Sequence, residues 1–295
     1  MTLLAPPSTP KPASWHGRLS LRYRSDGAGD GTRTVAHDTH HGPLRVLQAL
    51  YPEGPRICHH VLVHPPGGIV GGDELDIDLQ LQAGTHALIT TAGATRFYRS
   101  AGAVARQHAV AHIAEEARLE WLPLETIAYS GCMAENRLTL QPDPGAEAMG
   151  WELLALGLPA AREPFAAGRF LQQLELPGRW LERGLLRADD TLLRDSPLGL
   201  AGAPVLATLW FVAGTPLAAA RQERLLDAAR AAIDAAAGSA IGARAGVTAP
   251  QPGVLVLRAL SPSVEPAMAL LQAVRGAWRA EAWALPPNPP RVWRL

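Results

Sequence analysis

The chain has 295 residues, 47% of them hydrophobic, enough for one large core or two moderate ones, and its 27 basic and 27 acidic residues leave no net charge to draw it to nucleic acid or an anionic membrane. Lys11 is the only lysine, which excludes both a phosphate loop of the G-x-x-x-x-G-K-S/T type and Schiff-base chemistry on a buried lysine. Cys58 and Cys132 are too few for a disulfide framework, no apolar run approaches the roughly 20 residues of a membrane span, and no signal segment is read at the start, so the expected location is the cytoplasm.

Residues 1–14, with prolines at 6, 7, 10 and 12, read as a disordered leader, and residues 15–295 as a single domain. From Trp15 to about residue 210, short apolar or alternating runs recur between glycines and prolines: 18–24, 45–47, 57–63, 75–81, 86–91, 106–113, 118–122, 137–140, 148–156, 170–176, 181–186 and 205–212. So many short strands at close spacing indicate an all-β body, and the spacing leaves both a sandwich and a coil of sheets open. Two helices are expected late, over 216–237 with a stop at Gly238 and over 265–282, with a strand over 253–260 between them. The tail at Pro286-Pro287-Asn288-Pro289-Pro290 must be extended. Trp210, Trp278, Trp283 and Trp293 read either as core or as interface anchors.

The most unusual segment is His64-Pro65-Pro66-Gly67-Gly68-Ile69-Val70-Gly71-Gly72-Asp73-Glu74. Paired glycines allow positive φ and close approach, and the prolines fix the entry, so a shaped loop joins the runs on either side. A strand follows it and the glycine spacing is wrong for a dinucleotide fingerprint. Asp73 and Glu74 offer hard oxygen ligands, although Asp73 also suits a turn cap. On a strand, Cys58 and His60 share a face and can share one ion, His59 points the other way, and His64 lies about 13 Å beyond His60. His108 and His112 have helical ligand spacing but lie about 13 Å apart on a strand. His37-Asp38-Thr39-His40-His41 reads by default as a solvated polar loop, although a loop there could bend its ligands together. Glu125, Glu135, Arg137 and Glu152 read as buried ion pairs or as the lining of a wet passage. There is no G-x-S-x-G nucleophile elbow, and Cys132 reads as a small buried apolar residue.

The loop, together with Thr90-Thr91-Ala92-Gly93-Ala94-Thr95-Arg96-Phe97-Tyr98-Arg99-Ser100 and Leu119-Glu120-Trp121-Leu122-Pro123, resembles the urease accessory family called UreD or UreH. Gly42-Pro43-Leu44-Arg45-Val46, Tyr51-Pro52-Glu53-Gly54, Gly150-Trp151-Glu152, Asp195-Ser196-Pro197 and Pro290-Arg291-Val292-Trp293 extend the resemblance over most of the chain. The family tends to carry an acidic residue where Ser130 stands here. The resemblance implies a mainly β fold, a β-helix-like body of many short strands with two C-terminal α-helices, and no catalysis. It implies a metallochaperone that joins UreF and the GTPase UreG to the urease apoprotein, with two copies in a hetero-oligomeric complex. Ni²⁺ in transit would be its only metal, with no catalytic cofactor. The candidate path, in falling order, is Asp73, Glu74, His64, Glu125 and Glu152, acting as weak sites in series. The alternatives are a passive assembly scaffold without nickel transit, and a free-standing hydrolase using the glycine-rich loop.

Overall fold

The computed structural model describes residues 14–27, 32–237 and 242–294. The expected leader, apart from Ser14, and the expected stop at Gly238 lie outside them. Among the described residues the chain forms two large sheets and three α-helices.

The first sheet has seven strands. Its centre is parallel: β1 (His16–Asp26), β5 (Glu74–Leu81), β8 (Ala105–Ile113), β11 (Met133–Pro142) and β14 (Arg169–Leu176). β2 (Arg33–His41) and β15 (Trp180–Arg187) close its two edges antiparallel. The second sheet takes the intervening strands β4 (Ile57–Val63), β6 (His86–Thr91), β9 (Arg118–Leu122) and β12 (Glu147–Leu158), again in parallel. The chain therefore coils, alternating sheets turn by turn, which is the β-helix-like body expected. The second sheet continues antiparallel through β16 (Val205–Ala213) and β18 (Val254–Ser261) to β17 (Arg244–Gln251), and β3 (Arg45–Val46) pairs at its other edge. Short β7 (Thr95–Phe97), β10 (Thr126–Ala128) and β13 (Glu163–Pro164) attach beside β12.

The two sheets differ in patterning because they differ in what covers them. The first has one face on the core and one in water, so β5 alternates buried and half-buried along its length. The second is covered on both faces: one packs on the first sheet, the other on α2 (Ala219–Ala237) and α3 (Val264–Trp283). Its strands accordingly read as continuous apolar runs, and ten consecutive residues of β12 are buried. Both late helices and the strand between them fall where the sequence places them. A third helix, α1 (Thr191–Asp195), is a single turn capped by Asp190.

One expectation is corrected. The segment 37–41 is strand, not loop, because β1 supplies it with a full antiparallel ladder. The proline-rich segment 286–290 carries no helix or strand, and the chain beyond it closes into a 3-10 turn, Arg291–Arg294.

Candidate functional site

The glycine-rich loop leaves β4, runs across the end of the body and enters β5. It is pinned to β7 by Ile69 N to Arg96 O, 2.7 Å, and Tyr98 N to Ile69 O, 2.9 Å. Only glycine fits at position 68, since a Cβ there would lie 2.1 Å from the Tyr98 ring. Asp73 is 5% exposed, and both of its oxygens are used: Oδ1 accepts from Trp15 N at 2.9 Å and Oδ2 from Val70 N at 3.1 Å. In this arrangement its carboxylate closes the loop, as the turn-cap reading has it. Glu74 faces outward and pairs with Arg106 at 3.0 Å.

Between the sheets, behind this loop, lies a cavity of about 320 Å³. Leu62, Leu75, Ile77 and Trp121 form apolar walls; half-buried His64 and exposed Arg96 line its rim; and Gln107, Asn136 and Glu152 converge inside. Glu152 accepts from Trp121 Nε1 at 3.3 Å and from Asn136 Nδ2 at 2.9 Å. Gln107 Nε2 donates to Asn136 Oδ1 at 3.2 Å, and Asn136 Nδ2 also reaches Gln172 Oε1 at 3.3 Å. Burial pushes the Glu152 carboxyl up to about 7, against the hydrogen bonds from Trp121, Asn136 and Gln172, because no cation stands beside it. Burial likewise lowers the His64 imidazole, with Asp73 opposing.

Of the five candidate path residues, the cavity therefore gathers His64 and Glu152. Asp73 and Glu74 stand outside its lining, and so does half-buried Glu125, whose backbone carbonyl holds Thr95 N at 2.9 Å beside the rim. Among the described residues, no three His, Cys, Asp or Glu side chains are grouped to hold a metal ion. The chemistry on offer is isolated contact to a hydrated cation, not a closed coordination shell.

The other candidates disperse. Glu135 and Arg137 pair at 2.7 Å on the outer face of the first sheet, so they belong to no inner passage. His108 and His112 lie on β8, and the helical ligand reading falls with the helix. His60 meets the Tyr23 hydroxyl at 2.8 Å, and burial lowers its imidazole to about 4. Burial pushes the Cys58 thiol up to about 11 and the Cys132 thiol up to about 12, which keeps both protonated and unreactive. Cys132 is fully buried, as expected.

On the opposite face of the second sheet is a charge network that the sequence analysis missed. Arg275 Nε and Nη2 grip Glu120 Oε2 at 2.8 and 2.6 Å, and Arg279 Nη2 binds Glu53 Oε2 at 2.8 Å. His59 Nε2 meets Glu53 at 2.8 Å and His86 Nε2 meets Glu120 at 3.0 Å. Burial alone would push the Glu120 carboxyl up, but the Arg275 charge, the His86 hydrogen bond and Arg279 bring it down to about 2. Arg275 and Arg279 also donate to Pro287 O and Pro286 O, at 2.6 and 2.7 Å, so the network ties the tail to α3. Trp293 then donates to Thr90 Oγ1 at 2.9 Å and packs against Trp151, the rings tilted by 38°. The signal was present: Arg275 and Arg279 occupy positions on α3 that its period assigns to the buried face with Leu271, Val274 and Trp278.

The family model described as UreD urease accessory protein matches residues 16–294. A Leptothrix cholodnii protein named urease accessory protein UreD is 62% identical over 281 residues, covering 95% of this chain and 99% of the relative. Proteins of the same name from Verminephrobacter eiseniae and Paracidovorax citrulli are 58% and 57% identical, covering 95% and 96% of this chain and 99% and 100% of their own lengths.

Proposed function

The chain belongs to the UreD family of urease accessory proteins, and from that premise we propose that it is a nonenzymatic scaffold and nickel metallochaperone in urease maturation. In this reading it joins UreF and the GTPase UreG to apo-urease, two copies to a complex, and passes Ni²⁺ toward the urease active site. With Lys11 as its only lysine, nucleotide hydrolysis falls to the partner. The observation that carries the transit role is the inter-sheet cavity, where the buried Glu152 carboxyl and its amide neighbours face a space roomy enough for several waters. A hydrated cation held by one carboxylate and neutral amides enters readily and leaves readily, as conduction requires. His64 at the rim supplies an imidazole on the way in, and its depressed basicity leaves it neutral and able to bind a metal at pH 7.

The passive scaffold remains the second reading because Asp73 and Glu74, first in the candidate path, are occupied as a loop lock and a surface ion pair. One experiment separates the two. Urease is produced in cells carrying its subunits and the other accessory proteins, with this chain absent, wild type, or carrying Glu152→Gln, and its nickel content is measured. Nickel-poor urease only without the chain establishes the maturation role. Normal complex assembly with nickel reduced about tenfold by Glu152→Gln supports transit. Full loading by that variant leaves the scaffold, and full loading without the chain sinks the family reading of its function.

A further inference from the structure

The end of the body that carries the glycine-rich loop is also a surface in its own right. Successive turns stack there through backbone hydrogen bonds: Gly72 N to Val104 O at 3.1 Å, Ser100 N to Gly131 O at 3.0 Å, Gly131 N to Ala167 O at 2.7 Å and Ala188 N to Gly168 O at 3.1 Å. Glycine permits this closeness. A Cβ at Gly71 would sit 2.2 Å from Ser100 Oγ, and one at Gly168 would sit 2.2 Å from Cys132 O. The result is a fixed, shallow face of small exposed residues, among them Ala101, Ala103, Ala166 and Ala167.

Larger apolar groups flank it. Val70 is 45% exposed, and just past Ala188 the α1 segment presents Leu192, 79% exposed, and Leu198, 99% exposed. Leucines that exposed lose the favourable transfer of their side chains from water, and with Val70 at the opposite margin of the same end they are groups that an interaction would bury. Arg96, Arg99 and Arg169 are exposed on the same turns, and no carboxylate among the described residues pairs with any of them. The face therefore combines exposed apolar groups with unpaired guanidiniums, a complement to carboxylates on an amphipathic segment.

We propose that this end of the body is a protein-docking face for an amphipathic, acidic segment of a partner. Its apolar residues seat on Val70, Leu192 and Leu198, and its carboxylates pair with Arg96, Arg99 and Arg169. Exposed Asp195 and the Asp189–Arg187 pair lie with the leucines, so this margin is not the broad basic surface that a membrane or a nucleic acid needs, and the partner's carboxylates belong at the three guanidiniums. Arg96 and Gly68 also line the cavity, so the docked segment lies over its rim. The partner's identity rests on the maturation reading above, since a member of the urease assembly is meant.

The test uses the full chain co-expressed with the urease subunits and the other accessory proteins. It compares wild type, Leu192→Asp/Leu198→Asp and Arg99→Glu/Arg169→Glu by recovered complex and melting temperature. These side chains are exposed, so both variants should melt as wild type does. The expected result is a loss of complex of about tenfold or more in each, together with weakening of the wild-type complex as salt is raised. Equal recovery from wild type and both variants overturns the docking face while leaving the maturation reading standing. A wild-type chain that assembles with none of these proteins overturns both. Co-sedimentation with anionic phospholipid vesicles that is lost in the variants, with protein assembly intact, overturns the docking face in favour of a membrane surface.

Discussion

Glu152 shows how much one residue's surroundings decide. Its carboxyl has an ordinary value of 4.5 and is raised to about 7 by burial. Between those values the unfolded chain has lost its proton and the folded chain keeps it, so the stability that this group supports is fully present below about pH 4.5 and is lost as pH rises to about 7. The loss is on the order of 3 kcal/mol. Glu152→Gln, which cannot ionise, should therefore match wild type near pH 4.5 and melt higher than wild type at pH 8. Melting temperatures across that range check this, and parallel curves would refute it. Glu152 and His64 were legible as candidates because carboxylate and imidazole beside apolar strands are uncommon. The sequence puts Asp73 and Glu74 ahead of them because it displays an acidic pair but not the backbone amides of Trp15 and Val70 that occupy Asp73.

At the scale of elements, apolar runs were enough to locate most strands, including both faces of the buried second sheet. β2 escaped because it is an edge: Arg33–His41 is mostly exposed and carries no hydrophobic period, so only its ladder with β1 makes it a strand. β7, β10 and β13 are two or three residues long, too short for any period. The α3 helix carries the clearest prediction. Arg275→Met leaves Glu120 short of its main cation in a fully buried site and should cost about 3 to 5 kcal/mol. Arg275→Met with Glu120→Met removes both charges and should recover most of that loss. Urea melts of the two variants measure it, and a double variant no more stable than the single one would show that the tail contact to Pro287 matters more than the charge pair.

At the scale of the whole molecule, the second sheet is the wall shared by both cores. Trp210 packs in the core between the sheets, while Trp151, Trp278 and Trp283 pack in the core under the helices, and all are tied to that one wall. The two cores cannot come apart singly without exposing it, so urea unfolding followed by tryptophan fluorescence and by circular dichroism should show one coincident transition. Two resolved steps would mean that the helices detach first. The wall also changes chemistry within one residue: His59 and His60, Glu120 and Trp121, and Trp151 and Glu152 are neighbours in sequence that face opposite sides. On the helix side, two carboxylates and two guanidiniums in contact cancel, and the field of such a neutral group fades far faster than that of a single ion. A cation in the cavity thus feels neither Arg275 nor Arg279 as a lone repelling charge. The paired charges behind the sheet thus act as an electrical screen, and any ion that entered the cavity would be chosen by the groups on its own side.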